Sequence, residues 1–77
     1  MRQLRERGIY TLAGVELVAV KRTEEIYFLF TERNWNFRGP VSYRLSHGNI
    51  YERGELTRWD ERDLVDTGRT SRPPRAH

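Results

Sequence analysis

The residues with the most chemical capacity crowd into GELTRWDERDLVDTG, residues 54–68. Trp59 sits between Arg58 and Asp60, and Asp60, Asp63 and Asp66 recur at every third position. Three carboxylates invite a metal site, but their spacing opposes one. Residues three apart on a helix are neighbours, whereas six apart spans nearly two turns. Calcium loops space their ligands more tightly and need a glycine bend among them. Neither a metal nor a cofactor is expected. The acids have a simpler use. Thr57-Arg58-Trp59-Asp60 and Asp60-Glu61-Arg62-Asp63 are two overlapping N-cap signals. Either starts a short C-terminal helix or 3-10 turn with its acids in the first turn, where the helix dipole favours them. Gly68 then fits the stop. On this reading Leu64, Val65 and Trp59 face the core, Trp59→Ala loosens the domain, and Asp66→Ala changes little.

Catalysis finds few materials. A nucleophile needs a base within hydrogen-bond reach. The chain has two histidines, His47 beside Gly48 and His77 at the end. His47 reads as a turn residue tolerating an unusual backbone angle. No P-loop, GxGxxG, HExxH or CxxC pattern occurs. The expectation is a protein that is not an enzyme.

Trp35-Asn36-Phe37-Arg38-Gly39-Pro40 places two aromatics and an arginine in a loop. Such a loop can dock a protein partner, and Trp35, Phe37 and Arg38 are taken as its contacts, with Tyr27 and Leu29 of a neighbouring strand. It can equally stack on bases while arginines meet phosphates. That second reading adds Arg33, Arg69, Arg72 and Arg75. A plainer use for both tryptophans is to plug the ends of a small barrel, each indole N–H bonded to a nearby acceptor. Arg72-Pro73-Pro74-Arg75 is itself like a ligand for an aromatic groove.

The elements that must carry these residues read as β. Ile9-Tyr10-Thr11-Leu12, the turn Ala13-Gly14 and Val15 to Val20 predict a hairpin over residues 9–22. Ile26 to Thr31 is β-branched or aromatic almost throughout. Residues 32–40 read as a loop with several breakers. Val41, Tyr43 and Leu45 alternate onto one face, His47-Gly48-Asn49 is a turn, and Ile50 to Arg53 is a fifth strand. Tyr10 to Gly14 is echoed by Tyr43 to Gly48 with one extra residue, which a longer hairpin loop would absorb. The predicted fold is mainly β: a small five-stranded antiparallel barrel or strongly bent sheet, SH3-like or OB-like, with the short C-terminal helix. Leu17 to Val20 and Ile26 to Phe30 are apolar on both faces. A half-solvated sheet alternates, so their second face needs a cover. Barrel closure, the Leu64-Val65 segment or a second copy of the chain are the candidates, and the last makes a homo-oligomer attractive.

At 77 residues the chain holds one domain. Its core supplies no more than about 3–5 kcal/mol of net stability. Residues 1–7 are a basic, partly ordered segment in which Leu4 anchors a turn. Residues 8–68 form the domain, and residues 69–77 a disordered Arg/Pro-rich tail. There is no Cys, which excludes disulfides and thiolate metal sites. No apolar run reaches membrane-spanning length. Without a visible signal peptide, a cytoplasmic location is expected. The net charge of +3 is unevenly placed. Residues 69–77 carry three arginines and no acid, residues 1–7 three arginines against Glu6, and residues 8–68 eight basic against ten acidic side chains. A mildly acidic body weakens a nucleic-acid role. A non-enzymatic, homo-oligomeric, protein-binding module therefore ranks first, and a nucleic-acid-binding small barrel second.

Overall fold

The computed structural model describes residues 2–72. Their strands are β1 (Gly8–Leu12), β2 (Val15–Thr23), β3 (Ile26–Phe30), β4 (Tyr43–Ser46), β5 (Asn49–Glu52), β6 (Glu55–Asp60) and β7 (Val65–Thr70). All join one antiparallel sheet in the order β6-β5-β4-β3-β2-β1-β7. Seven strands replace the five expected from sequence. The two extra ones, β6 and β7, come from the stretch expected to be helical. Thr57 lies inside β6, so the second cap signal is the one used. The Asp60 side chain accepts from Arg62 N–H at 2.8 Å, and Asp63 accepts from Asp60 N–H at 2.9 Å. They cap a single 3-10 turn, Glu61–Asp63.

Two-residue turns make the meander. Leu12 pairs with Val15, Ser46 with Asn49 and Glu52 with Glu55. Both central residues of each turn have positive φ: Ala13 and Gly14, His47 and Gly48, Arg53 and Gly54. That is the type I′ geometry whose twist matches paired strands. The sequence echo is thus one turn solution used three times, and the extra residue lies in the strand rather than in a longer loop. Glycine follows at each second position, but Ala13, His47 and Arg53 carry a Cβ in the left-handed region, which L-residues resist. Ala13→Asn, at an exposed turn, is expected to raise stability by about 0.5–1 kcal/mol. A thermal midpoint at or below the native one would refute this.

β6 and β7 are the two edges, yet only Glu61 to Leu64 lie between them. Edge strands of a flat seven-stranded sheet would sit about 28 Å apart. Five backbone steps reach no more than about 17 Å. The sheet is therefore rolled, although β6 and β7 do not pair and no closed barrel forms. Its concave side holds the core of Leu4, Tyr10, Leu12, Leu17, Ala19, Tyr27, Leu29, Leu45, Ile50 and Leu64. Leu64 faces the core as expected, but Val65 is 61% exposed. Leu4 belongs to the N-terminal segment, which crosses the concave side. Leu4 N–H donates to the Tyr27 hydroxyl at 3.3 Å, and that hydroxyl donates to Gln3 Oε1 at 3.1 Å.

The second face of β2 has a cover of its own. The 31–42 connection includes one helical turn, α1 (Glu32–Trp35), which packs on β2 and β3. The Trp35 indole N–H donates to Ser71 Oγ at 2.8 Å, beyond β1. The connection thereby passes over the convex side, where Ile9 and Val18 are buried. The chain itself thus covers part of the second face of these strands, around Ile9 and Val18, while Val20, Phe28 and Phe30 stay half-buried. Ser71 is buried too and donates N–H to Arg7 O at 2.8 Å. The ordered fold extends through β7 to Ser71, past the Gly68 boundary placed from sequence.

Both edges are bulged in the same way. Thr57 Oγ1 donates to Ile50 O on the neighbouring strand and accepts from Trp59 N–H. Thr67 Oγ1 donates to Ile9 O and accepts from Arg69 N–H. The pairing register shifts at both places. A bulge bends an edge away from a passing strand, which opposes edge-to-edge association.

Candidate functional site

The convex face of β3 to β5 carries a row set by cross-strand register. Val20 opposes Phe28, Phe28 opposes Arg44, and Arg44 opposes Tyr51. Phe28, Arg44 and Tyr51 are half-buried. Cations and rings alternate along the row. Arg22 Cζ lies 5.1 Å from the Phe28 ring centroid, and Arg44 Cζ lies 4.7 Å from that of Tyr51. Both distances fit cation–π attraction. The Arg44 Nε is buried and has no hydrogen-bond partner among the described residues. Leaving a charged donor unmet costs more than a typical hydrogen bond contributes.

Two hollows flank Phe28. One, about 210 Å³, is lined by Ser42, Arg44, Tyr51 and Arg53 among others. The other, about 530 Å³, is lined by Val20, Arg22, Phe30, Trp35 and Arg38 among others. Phe28 and Val41 belong to both. Arg22, Arg38, Arg44 and Arg53 form no ion pair among the described residues.

Arg5 and Arg69, near the chain ends, behave otherwise. Arg5 holds Asp66 through two side-chain bonds, at 2.6 and 3.0 Å. Arg69 pairs with Glu16. Arg2 N–H donates to Glu61, and its guanidinium donates to Leu64 O at 2.7 Å. Local pairs take two further acids, Asp60 with Arg62 and Glu24 with Lys21. Arg5 and Arg69 thus help neutralise the acidic body, while the convex-face arginines form no ion pair among the described residues.

Several expected site residues lie elsewhere. Tyr27 and Leu29 are fully buried on the concave side, so their place is in the core and not on a partner-binding face. Trp35 lines the larger hollow, but Ser71 fixes its indole. Phe37 is 75% exposed, and Arg38 lines the larger hollow with φ of 55°. Arg33 and Arg72 are exposed, and Arg75 lies outside the described residues. Arg69 is committed to Glu16. Trp59 is half-buried beside the core and meets the Tyr43 ring edge-on at 6.1 Å. Sequence reasoning missed Phe28, Arg44 and Tyr51. The signal lay in the alternation itself: if Tyr43 and Leu45 face inward, Arg44 between them faces outward.

The three aspartates have three separate uses. Asp60 and Asp63 cap the 3-10 turn, and Asp66 binds Arg5 and accepts from Gly68 N–H at 2.8 Å. Among the described residues no group of three metal-ligating side chains gathers. Arg5 first, then the Gly68 amide, holds the Asp66 carboxyl below the usual carboxylate range. A depressed folded-state pKa stabilises the fold above the unfolded value, about 3.9, and that support is lost as pH falls through the folded value. Asp66→Asn is expected to lower the thermal midpoint at neutral pH and to leave a smaller loss on acidification. Identical acid profiles for both proteins would contradict the linkage. Asp66 is thus tied into the fold, contrary to the idle role read from sequence.

His47, read from sequence as a turn residue, has two close polar neighbours. Its Nε2 lies 2.7 Å from Glu25 and its Nδ1 3.1 Å from Ser46 Oγ. The imidazole and carboxylate are 65% and 56% exposed on a turn. Electrostatic catalysis works through preorganised groups in a water-excluded site, and this arrangement stands in solvent. Its backbone role is plain, since His47 N–H donates to Glu25 O at 2.9 Å and ties two turns together.

No protein-family model matches the chain, and neither a curated protein nor a solved structure matches it. Among the described residues no helix is long and apolar enough to cross a membrane.

Proposed function

We propose that the protein is a non-enzymatic interaction module that captures an anionic macromolecule on the convex face of β3 to β5. The observation that carries this reading is the half-buried Arg44, whose Nε has no partner among the described residues, beside arginines that form no ion pair among them. Burying an uncompensated cation is costly, and an anionic ligand offsets that cost by accepting from the guanidinium fork. The nearby rings add apolar area that a simple counter-ion would not use.

A sulfated polysaccharide column at low salt tests the reading. The native protein is expected to be retained and to elute as salt rises. Arg44→Gln with Arg53→Gln is expected to elute much earlier. Arg69→Gln, at a side chain tied to Glu16, is expected to elute almost with the native protein. A loss in Arg69→Gln of half that of the double variant or more would mean that net charge alone drives retention, and the face would have no special part.

A further inference from the structure

We infer that the anionic partner is a single-stranded nucleic acid, gripped as two successive nucleotides on either side of Phe28. This rests on the proposed convex-face reading and names its ligand. The argument is the repetition of the two hollows. Each contains two arginines that form no ion pair among the described residues, Arg44 and Arg53 in one, Arg22 and Arg38 in the other. Each also presents aromatic surface, from Tyr51 in one and from Phe30 and Trp35 in the other, and they share Phe28. A ligand that fills both must repeat a flat apolar group and an anion along a chain. A nucleic-acid strand does so at every unit, whereas a peptide of acidic residues alone lacks the flat group.

Size and shape agree. The smaller hollow, about 210 Å³, is below the roughly 300–1,000 Å³ that holds a drug-sized ligand. It suits one ring system better than a whole cofactor. Bases stack on aromatic rings and on guanidinium planes, and sheet faces bind RNA in this way in other folds. A duplex keeps its bases inside the stack, so it cannot place them on both sides of Phe28 without opening. Ser42 and the Arg44 guanidinium line the smaller hollow, where phosphate oxygens can accept hydrogen bonds.

Fluorescence anisotropy with labelled decamers tests this, using single-stranded oligouridylate and oligoadenylate, a duplex of equal length, and polyglutamate. The single strands are expected to bind at least about fivefold tighter than the duplex or polyglutamate, because a stacked base adds to the phosphate contacts. Neutralising two phosphates gives a slope of log K against log salt of about −1.4 or steeper. Phe28→Leu keeps apolar bulk but removes the ring, and is expected to weaken single-strand binding at least about fivefold. Its thermal midpoint identifies any loss due to unfolding, and Arg44→Lys supplies a second variant that keeps the charge but loses the fork. Duplex binding equal to single-strand binding overturns the inference, as does native affinity in both variants. Preference for polyglutamate overturns it while leaving the anion-binding module standing. Failure of every probe, together with no retention on the sulfated column, removes both.

Discussion

Replacing Leu4 by Ala is expected to cost about 2–4 kcal/mol. That is most of the roughly 3–5 kcal/mol available to a domain of this size. Leu4 is 6% exposed and sits in the concave core, although it lies in a segment whose sequence is otherwise polar and basic. The truncation leaves a gap over Tyr27 and Tyr10, whose hydroxyls accept the N–H groups of Leu4 and Arg5. The rolled sheet cannot collapse readily onto that gap, because its concave side is lined by strands already held in register. A urea titration followed by tryptophan fluorescence should show the midpoint falling sharply, with little change in slope. An unchanged midpoint would mean that residues 2–7 are an appendage. Leu4→Met, which nearly conserves volume, should retain most of the stability.

Trp35→Ala carries the second large effect, about 2–3 kcal/mol for a half-buried aromatic. Trp35 belongs to the connection that covers the convex side of β2 and β3, and its indole N–H reaches buried Ser71. Removing the ring exposes apolar strand surface and breaks that bond. Trp35→Phe separates the two contributions. It keeps most of the cover and gives up one hydrogen bond, about 1 kcal/mol. Equilibrium unfolding of both variants reads this directly. If Trp35→Ala keeps native stability and loses only ligand binding, then the ring is a contact residue and not part of the cover.

Much of the sheet was legible in the sequence. The strand over Ile26 to Phe30 and the turns at Ala13-Gly14 and His47-Gly48 follow from β-propensity and turn chemistry that act locally. β6 and β7 were not legible. Thr57-Arg58-Trp59-Asp60 offers a helix cap and a strand with almost equal local merit, and pairing with β5 decides for the strand. The site was hidden for another reason. Charge was counted along the chain, where the ends are basic and the body acidic. In space Arg5 and Arg69 reach Asp66 and Glu16 across more than fifty residues. No local pattern announces those pairings, so the unpaired arginines of the body could not be told from the paired ones.

The return of β7 to β1 also orders events in time. Six strands form a meander whose neighbours are joined locally, four pairs of them by two-residue turns, so their contacts close short loops. β1 and β7 join residues more than fifty positions apart, as in Thr11 with Val65. Closing a long loop costs more entropy before any contact repays it. The meander therefore assembles first, and the last strand, with the ion pairs and Ser71 that fasten it, docks afterwards. The Asp66→Asn variant reads this too. Its refolding rate should match that of the native protein while its unfolding rate rises, because its contact forms after the barrier. A slower refolding rate would place β7 inside the nucleus.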